Sequence, residues 1–326
     1  MNYSFIGDTT YSLMLYLLFS SDDMLHNTTF FVGQNLASCS LNKKIVMPLL
    51  KTYSNKSLMQ YRIQCLQYRG LLRKTTIFAQ DHLYFSAPLI DNLRYNVLED
   101  CPNFFTVLNS RIPKEPPFVP SLGANWQNFC LGRIYNRYGG YNPYCLKRII
   151  TSNSDKNLFE RQNLECEQVN LYELWADSSE WKKQFVKDIF DLNDMGEVCS
   201  RRIVIFSQPL MEDACLSNKE LASIYKPYIE KYGAENILVK LHPRDNFDYK
   251  KHFPNINVLK TKAPQQLLSL MGVKFKIAIT VCSSAVSSMD DDCEIVWIGS
   301  EIDKRIVKAY GHIKCPRIYL LENNLV

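Results

Sequence analysis

Short apolar runs recur along the chain with helical stretches between them. "YSFIG", "TTFFVG", "KIVMPLL", "TTIFAQ" and "YNVLED" read as strands, and "YSLMLYLLFS", Tyr11 to Ser20, reads as a core helix capped by "DTT". Strands alternating with helices predict a parallel sheet covered on both faces. From Pro102 to about Asp155 the periodicity weakens and Pro, Gly, Tyr and Arg accumulate, as in "PPFVPSLGANW" and "IYNRYGGYNPY", which reads as an excursion from the first domain. In "ADSSEWKKQFVKDIFDLNDMGEVCS", Trp181, Phe185, Ile189 and Phe190 sit at helical spacing, predicting a linker helix that ends near Gly196. A second alternating series follows: strand "RRIVIF", helix "SNKELASIYKPYIEKYG", strands "NILVKL" and "INVLK", helix "APQQLLSLMG", strands "KIAITV" and "EIVWIG". The pattern therefore predicts two α/β domains, residues 1–195 with the excursion and linker helix and residues 196–326, with ligands held in a cleft at the carboxyl ends of the strands.

Composition narrows the class. A chain of 326 residues exceeds one ordinary core, in keeping with two domains, and 46% apolar with 22% charged residues is a globular balance that excludes fibrous or disordered classes. Eleven cysteines are odd in number and form no C-x-x-C pair, which points to reduced thiols in a cytosol and away from a disulfide frame or a zinc site. "YSLMLYLLF" is too short to span a bilayer and lacks a basic flank or cleavage site. The net charge of +5 leans only weakly towards acidic partners such as phospholipid, nucleotide or nucleic acid; an ordinary solvated surface accounts for it better.

Four polar clusters follow strands: Glu99-Asp100, Gln208 through Asp213 including Pro209, His242-Pro243, and Ser283-Ser284. His242 reads either as a turn cap or as a group aimed at a phosphate, pairing with an anion and protonating a leaving oxygen. Ser283-Ser284 reads as a helix N-cap or as hydroxyls at a helix start that hold phosphate without a metal. The pairs Glu99-Asp100 and Glu212-Asp213 read as solvated charges or as a base for an acceptor hydroxyl. No dinucleotide, P-loop or zincin signature occurs, and no D-x-D triplet; "MDDD", Met289 to Asp292, reads as solvent-facing.

Taken in order, "LEDC", "SQPLMED", "KLHPRD" and "VCSSA" resemble the bacterial sialyltransferases, above all glycosyltransferase family fifty-two, over about residues 75–300. The resemblance implies a GT-B fold, two Rossmann-like domains facing a central cleft, and inverting, metal-independent transfer of sialic acid from CMP-sialic acid. The acceptor it implies is a terminal sugar, galactose first, of a surface glycan such as lipooligosaccharide or capsule. His242 would be the general acid on the CMP phosphate, beside Pro243; Ser283 and Ser284 would bind the same phosphate, with Gln208 and Pro209 also on the donor side. The base would be Asp213 or Glu212, or, as in related polysialyltransferases, Glu99 or Asp100. The acidic motif of the group ends in glycine where this chain has Cys101, which stiffens that loop. The family also implies that the Tyr/Arg-rich segment Arg111 to Arg148 forms a dimer and approaches a membrane, against a plainly packed subdomain. Acceptor logic places the enzyme in the cytoplasm, peripheral at the inner membrane face, with no nucleic-acid partner. Two rival readings are a GT-B transferase using a UDP-sugar and an inactive nucleotide- or carbohydrate-binding module.

Overall fold

The structure is a computed structural model and describes residues 1–48, 55–111, 126, 129–130, 139–193 and 202–315. The chain divides into two compact units, Met1–Ile189 and Phe190–Val326. The expected boundary at 195/196 falls in residues 194–201, outside the described ones.

The first unit is built on seven parallel strands in the order β3-β2-β1-β4-β5-β6-β7. They are β1 Asn2–Gly7, β2 Thr28–Val32, β3 Lys44–Val46, β4 Thr75–Ala79, β5 Tyr95–Leu98, β6 Cys145–Ile150 and β7 Cys166–Gln168. Their near-continuous apolar runs suit strands covered on both faces. Phe5, Ile6, Phe30, Phe31, Ile77, Val97 and Ile149 are all buried. Helix Thr10–Phe19 is apolar on every side because the protein surrounds it: Tyr11 to Leu18 are buried, and the Thr9 hydroxyl accepts from Ser12 N at its start.

One expectation changes here. The excursion is not wholly outside the sheet, since Cys145–Ile150 pairs in parallel with β5 and carries the sheet on to β7. Pro, Gly and Tyr on its flanks mask a strand that is itself rich in β-branched and aliphatic residues. Most of the Tyr/Arg-rich segment, with its expected dimer and membrane roles, lies outside the described residues. The expected linker helix, Glu180–Ile189, lies in the first unit and packs on helix Thr10–Phe19. It buries Lys182, Val186 and Ile189, while Trp181 stays exposed and stacks on Phe185 at 5.1 Å. Gly196 lies outside the described residues.

Asp81, just beyond β4, explains how the chain returns to the sheet. Its buried carboxylate accepts from the backbone N–H groups of Gly139 (3.0 Å) and Gly140 (2.9 Å) and from the Tyr95 hydroxyl (2.9 Å). Both glycines have positive φ, 72° and 81°, which turns successive amides towards one anion at little steric cost. Arg148 completes the lock by donating to the Gly140 carbonyl at 2.8 Å.

The second unit holds five parallel strands in the order β10-β9-β8-β11-β12. These are β8 Ile203–Phe206, β9 Ile237–Lys240, β10 Asn257–Leu259, β11 Ile277–Thr280 and β12 Glu294–Trp297. Every expected strand and helix of this half is present. Helix Asn218–Tyr232 begins with a capping box, in which Ser217 and Glu220 satisfy each other's backbone N–H groups. Its buried Leu221, Tyr225 and Ile229, spaced by four, meet Ile205, Val239 and Ile279 of the sheet in one core. In both sheets the chain starts in the middle and winds outwards both ways, giving switch points between β1 and β4 and between β8 and β11.

Candidate active site

At each switch point a buried glutamine ties two loops together. In the first unit Gln80 Oε1 accepts from Asp8 N (2.8 Å) and Thr9 N (3.3 Å), while its Nε2 donates to Thr9 Oγ1 (2.9 Å) and to Asp100 Oδ1 (2.6 Å). In the second unit Gln208 Oε1 accepts from Cys282 N at 2.8 Å, and its Nε2 lies 3.1 Å from Cys282 Sγ. Gln208, expected on the donor side, thus has both ends of its amide engaged by the loop that carries Ser283. Pro209 is buried and starts helix Leu210–Ala214, whose first turn presents Glu212 and Asp213.

His242 follows β9. Its backbone N–H donates to Ser207 Oγ at 2.9 Å, which fixes the loop after β9 against the loop after β8. The ring is half-buried, and Nδ1 accepts from Arg244 N at 3.2 Å. That bond places the proton of the neutral ring on Nε2, a donor directed away from its own loop. Burial, then the cations of Arg244 and Lys240, push the imidazole down to about 4. The resting ring is therefore neutral at pH 7, not the cation that the sequence suggests; an anion beside Nε2 would be needed to charge it. Pro243 is exposed in the same turn, closed by Asp245 N donating to His242 O at 2.9 Å.

The acidic pair of this unit braces that turn. Asp213 takes two hydrogen bonds from Arg244, at 2.9 and 2.8 Å, and one from the Tyr310 hydroxyl at 2.7 Å. Arg244 holds its carboxyl below the usual carboxylate range despite partial burial. Glu212 accepts from the Asn246 side chain at 2.7 Å. Ser283 is the N-cap of a short 3₁₀ turn, accepting from Ala285 N at 3.3 Å, so the helix expected there is only one turn. Ser284 is exposed and its hydroxyl makes no hydrogen bond among the described residues.

Glu99 and Asp100 sit together in the first unit and differ sharply. Glu99 is fully buried; Oε1 accepts from the Tyr11 hydroxyl at 3.0 Å and from Thr151 Oγ1, and Oε2 has no partner among the described residues. Burial pushes its carboxyl up to about 8 against those bonds. Asp100 is half-buried; burial would raise it, but His82, 3.6 Å away, with Thr9 and Gln80, outweighs that and leaves it below its ordinary value. His82, Tyr11 and Arg244 partner the site residues directly, yet no motif in the sequence singles out the first two. Asp291 and Asp292 of "MDDD" are exposed as expected. The described residues hold no group of three or more His, Cys, Asp or Glu able to bind a metal, and the ten described cysteines form no disulfide.

Two parallel α/β units with polar loops at their switch points define the GT-B class of nucleotide-sugar enzymes, a fold shared with solved structures that this one resembles. One is the GT-B domain of a sialyltransferase from Photobacterium damselae, 11% identical, with a TM-score of 0.55 over 95% of this chain and 96% of that one. Another is the alpha/beta-galactoside alpha-2,3-sialyltransferase of Photobacterium phosphoreum, 12% identical, with a TM-score of 0.52 over 100% of this chain and 96% of that one. At sequence level the chain matches Glycosyltransferase family 52 over residues 14–299 and belongs to that family. An uncharacterized protein of Haemophilus influenzae is 24% identical over 312 residues, covering 93% of this chain and 95% of the relative. The chain is accordingly a glycosyltransferase, using a nucleotide-sugar donor and a glycan acceptor.

Proposed function

We propose that the protein is an inverting, metal-independent sialyltransferase that moves sialic acid from CMP-sialic acid to a terminal galactose of a surface glycan such as lipooligosaccharide. The observation that carries this reading is the tautomer of His242. With Nδ1 occupied by Arg244 N, the ring offers Nε2–H, and the loop after β11, separated from β9 by β8 in the same sheet, carries the Ser284 hydroxyl, which makes no hydrogen bond among the described residues. Two neutral donors suit a phosphodiester oxygen that gains charge as the bond to the sugar breaks.

The steps balance as a single displacement. The phosphate anion raises the imidazole from about 4, so that His242 can bring a proton to the departing phosphate oxygen. The bond between the sialyl anomeric carbon and that oxygen breaks, the acceptor hydroxyl bonds to the same carbon from the opposite face, and its proton passes to a carboxylate. Asp213 is ionised at neutral pH, as a base must be, although Arg244 lowers its basicity. Glu99 has the opposite properties, more basic but protonated at neutral pH. We assign the base to Asp213, with Glu212 as its neighbour and the Glu99-Asp100 pair as the assignment that variants must defeat.

Thermal melting with a nucleotide panel tests the donor. CMP should raise the melting temperature and UDP should not, because only a ligand of the folded state stabilises it. Stabilisation by UDP together with hydrolysis of a UDP-sugar would overturn the donor assignment; CMP binding without transfer to any acceptor would reduce the protein to a binding module. Transfer should persist in excess EDTA. Loss restored by Mg²⁺ or Mn²⁺ would show that a metal holds the phosphate.

A further inference from the structure

Past His242 the exposure of the chain alternates: Asp245, Phe247 and Tyr249 are buried, and Arg244, Asn246 and Asp248 between them are exposed. The turn is therefore braced on two sides. Outside, Arg244 and Asn246 meet Asp213 and Glu212. Inside, the Asp245 carboxylate accepts from Phe247 N at 3.0 Å on Oδ1 and from the Tyr249 hydroxyl at 3.2 Å on Oδ2. Phe247 and Tyr249 meet edge to face at 4.7 Å, in the core that also holds Tyr225 and Leu210. That close-packed setting fixes the carboxylate in place.

Ser207, just past β8, links this carboxylate to His242. It is buried, and its Oγ accepts from His242 N at 2.9 Å. A serine hydroxyl has one proton, and with a lone pair given to that amide the proton needs an acceptor of its own. Asp245 supplies one: burial pushes its carboxyl up, and the hydroxyls of Ser207 and Tyr249, with Phe247 N, act against that rise. Asp245 N also donates to His242 O at 2.9 Å. Both backbone polar groups of His242 thus lead to Asp245, the N–H through Ser207 and the carbonyl directly. The imidazole has no such link. Among the described residues its one hydrogen bond comes from Arg244 N to Nδ1, and no carboxylate is bonded to the ring.

We propose that Asp245, acting through Ser207, is the positioning residue of His242: a buried carboxylate that sets the direction and tautomer of the imidazole through the backbone of its turn. A carboxylate bonded to the ring itself would favour the imidazolium and hold a proton on the nitrogen facing it. Held from the backbone, the ring keeps Nδ1 as an acceptor and carries its proton on Nε2, the neutral donor that a departing phosphate oxygen needs. The outer pairs do not suffice for this, because solvent-exposed ion pairs contribute little. The kinetic consequence rests on the reading of His242 as the acid; the tautomer is a property of the free protein.

The test joins kinetics to nitrogen-15 NMR of the histidines in the full chain at neutral pH. The wild-type His242 signals, identified by their loss in His242→Ala, should show a bare Nδ1 and a protonated Nε2. Ser207→Ala should mix the two tautomers and lower kcat by about 10–10²-fold, with the donor KM within about twofold, because a misdirected acid slows the chemical step without loosening the donor. Asp245→Asn should act in the same direction. Ser207→Ala removes a single oxygen and decides alone if Asp245→Asn does not fold. Thr261→Val is the control for stability: it deletes a buried 2.7 Å bond to Phe190 O elsewhere in the same unit. It should lower the melting temperature while kcat and the His242 tautomer stay as in the wild type. An unmixed tautomer in Ser207→Ala, or a loss of kcat no larger than in Thr261→Val, overturns the proposal. The tautomer is read without donor or acceptor. Normal turnover by His242→Ala would instead remove the ring from the chemistry, so failure of the positioning role and failure of the sialyltransferase reading are separate results.

Discussion

The two units solve one architectural problem with the same residue types and reach opposite electrostatics. Each closes its switch point with a glutamine, Gln80 or Gln208, and each places a Glu-Asp pair near that edge. In the first unit the donors around Glu99 are hydroxyls, and burial wins, so its carboxyl rises to about 8. In the second, a guanidinium grips Asp213 at a partly open surface, and the charge pair wins, so its carboxyl falls. An acidic dipeptide after a strand therefore says little about its chemistry until its partners are known. The partner's charge sets the direction of the shift.

The sharpest way to break this comparison is kinetic. His242→Ala should reduce kcat by about 10²–10⁴-fold for transfer and should also slow donor hydrolysis, since departure of CMP is common to both. Asp213→Asn should reduce transfer within the same range but spare hydrolysis, because water needs little help from a base at an oxocarbenium-like centre. Normal transfer by Asp213→Asn and Glu212→Gln, with loss in Glu99→Gln or Asp100→Asn, would move the base to the first unit.

Next in size is the anchoring of loops. Asp81→Ala leaves three donors without their acceptor, two backbone amides and the Tyr95 hydroxyl, and should cost at least about 3 kcal/mol of stability in denaturant titration. Arg244→Met removes a more exposed pair and should cost less than about 1 kcal/mol. Similar losses for the two would mean that burial is not what separates the units.

Replacing Ser283 and Ser284 together by Ala should raise the donor KM at least about tenfold, given roughly 1.5–3 kcal/mol for each hydrogen bond to a charged group. An unchanged KM would leave Ser283 as the cap of its turn and nothing more.

A further test is the pH dependence of stability. Glu99 moves from its ordinary 4.5 to about 8 on folding, so the unfolded chain releases that proton first. Its contribution is complete below about 4.5 and is lost as pH rises to about 8, with a slope of at most about 1.4 kcal/mol per unit. Glu99→Gln should remove that decline, so the variant gains on the wild type between pH 5 and 8. Parallel curves would show that Glu99 ionises normally.

The sequence by itself determined the alternation of strands and helices, and hence two parallel α/β units, because apolar runs and periodic helices are local signals that survive without contacts. It also marked the strand ends where polar loops cluster, and the order of those motifs was enough to place the family. Strand β6 was hidden because its signal sits among Pro, Gly and Tyr that read as loop. Only the tertiary structure brought Asp81 to Gly139 and Gly140, Tyr11 to Glu99 and Arg244 to Asp213, and it turned Val186 inwards where the stripe favoured Trp181. Each of these is a long-range pairing or a choice of buried face, and burial and partner charge together set whether a carboxyl is held as acid or as anion.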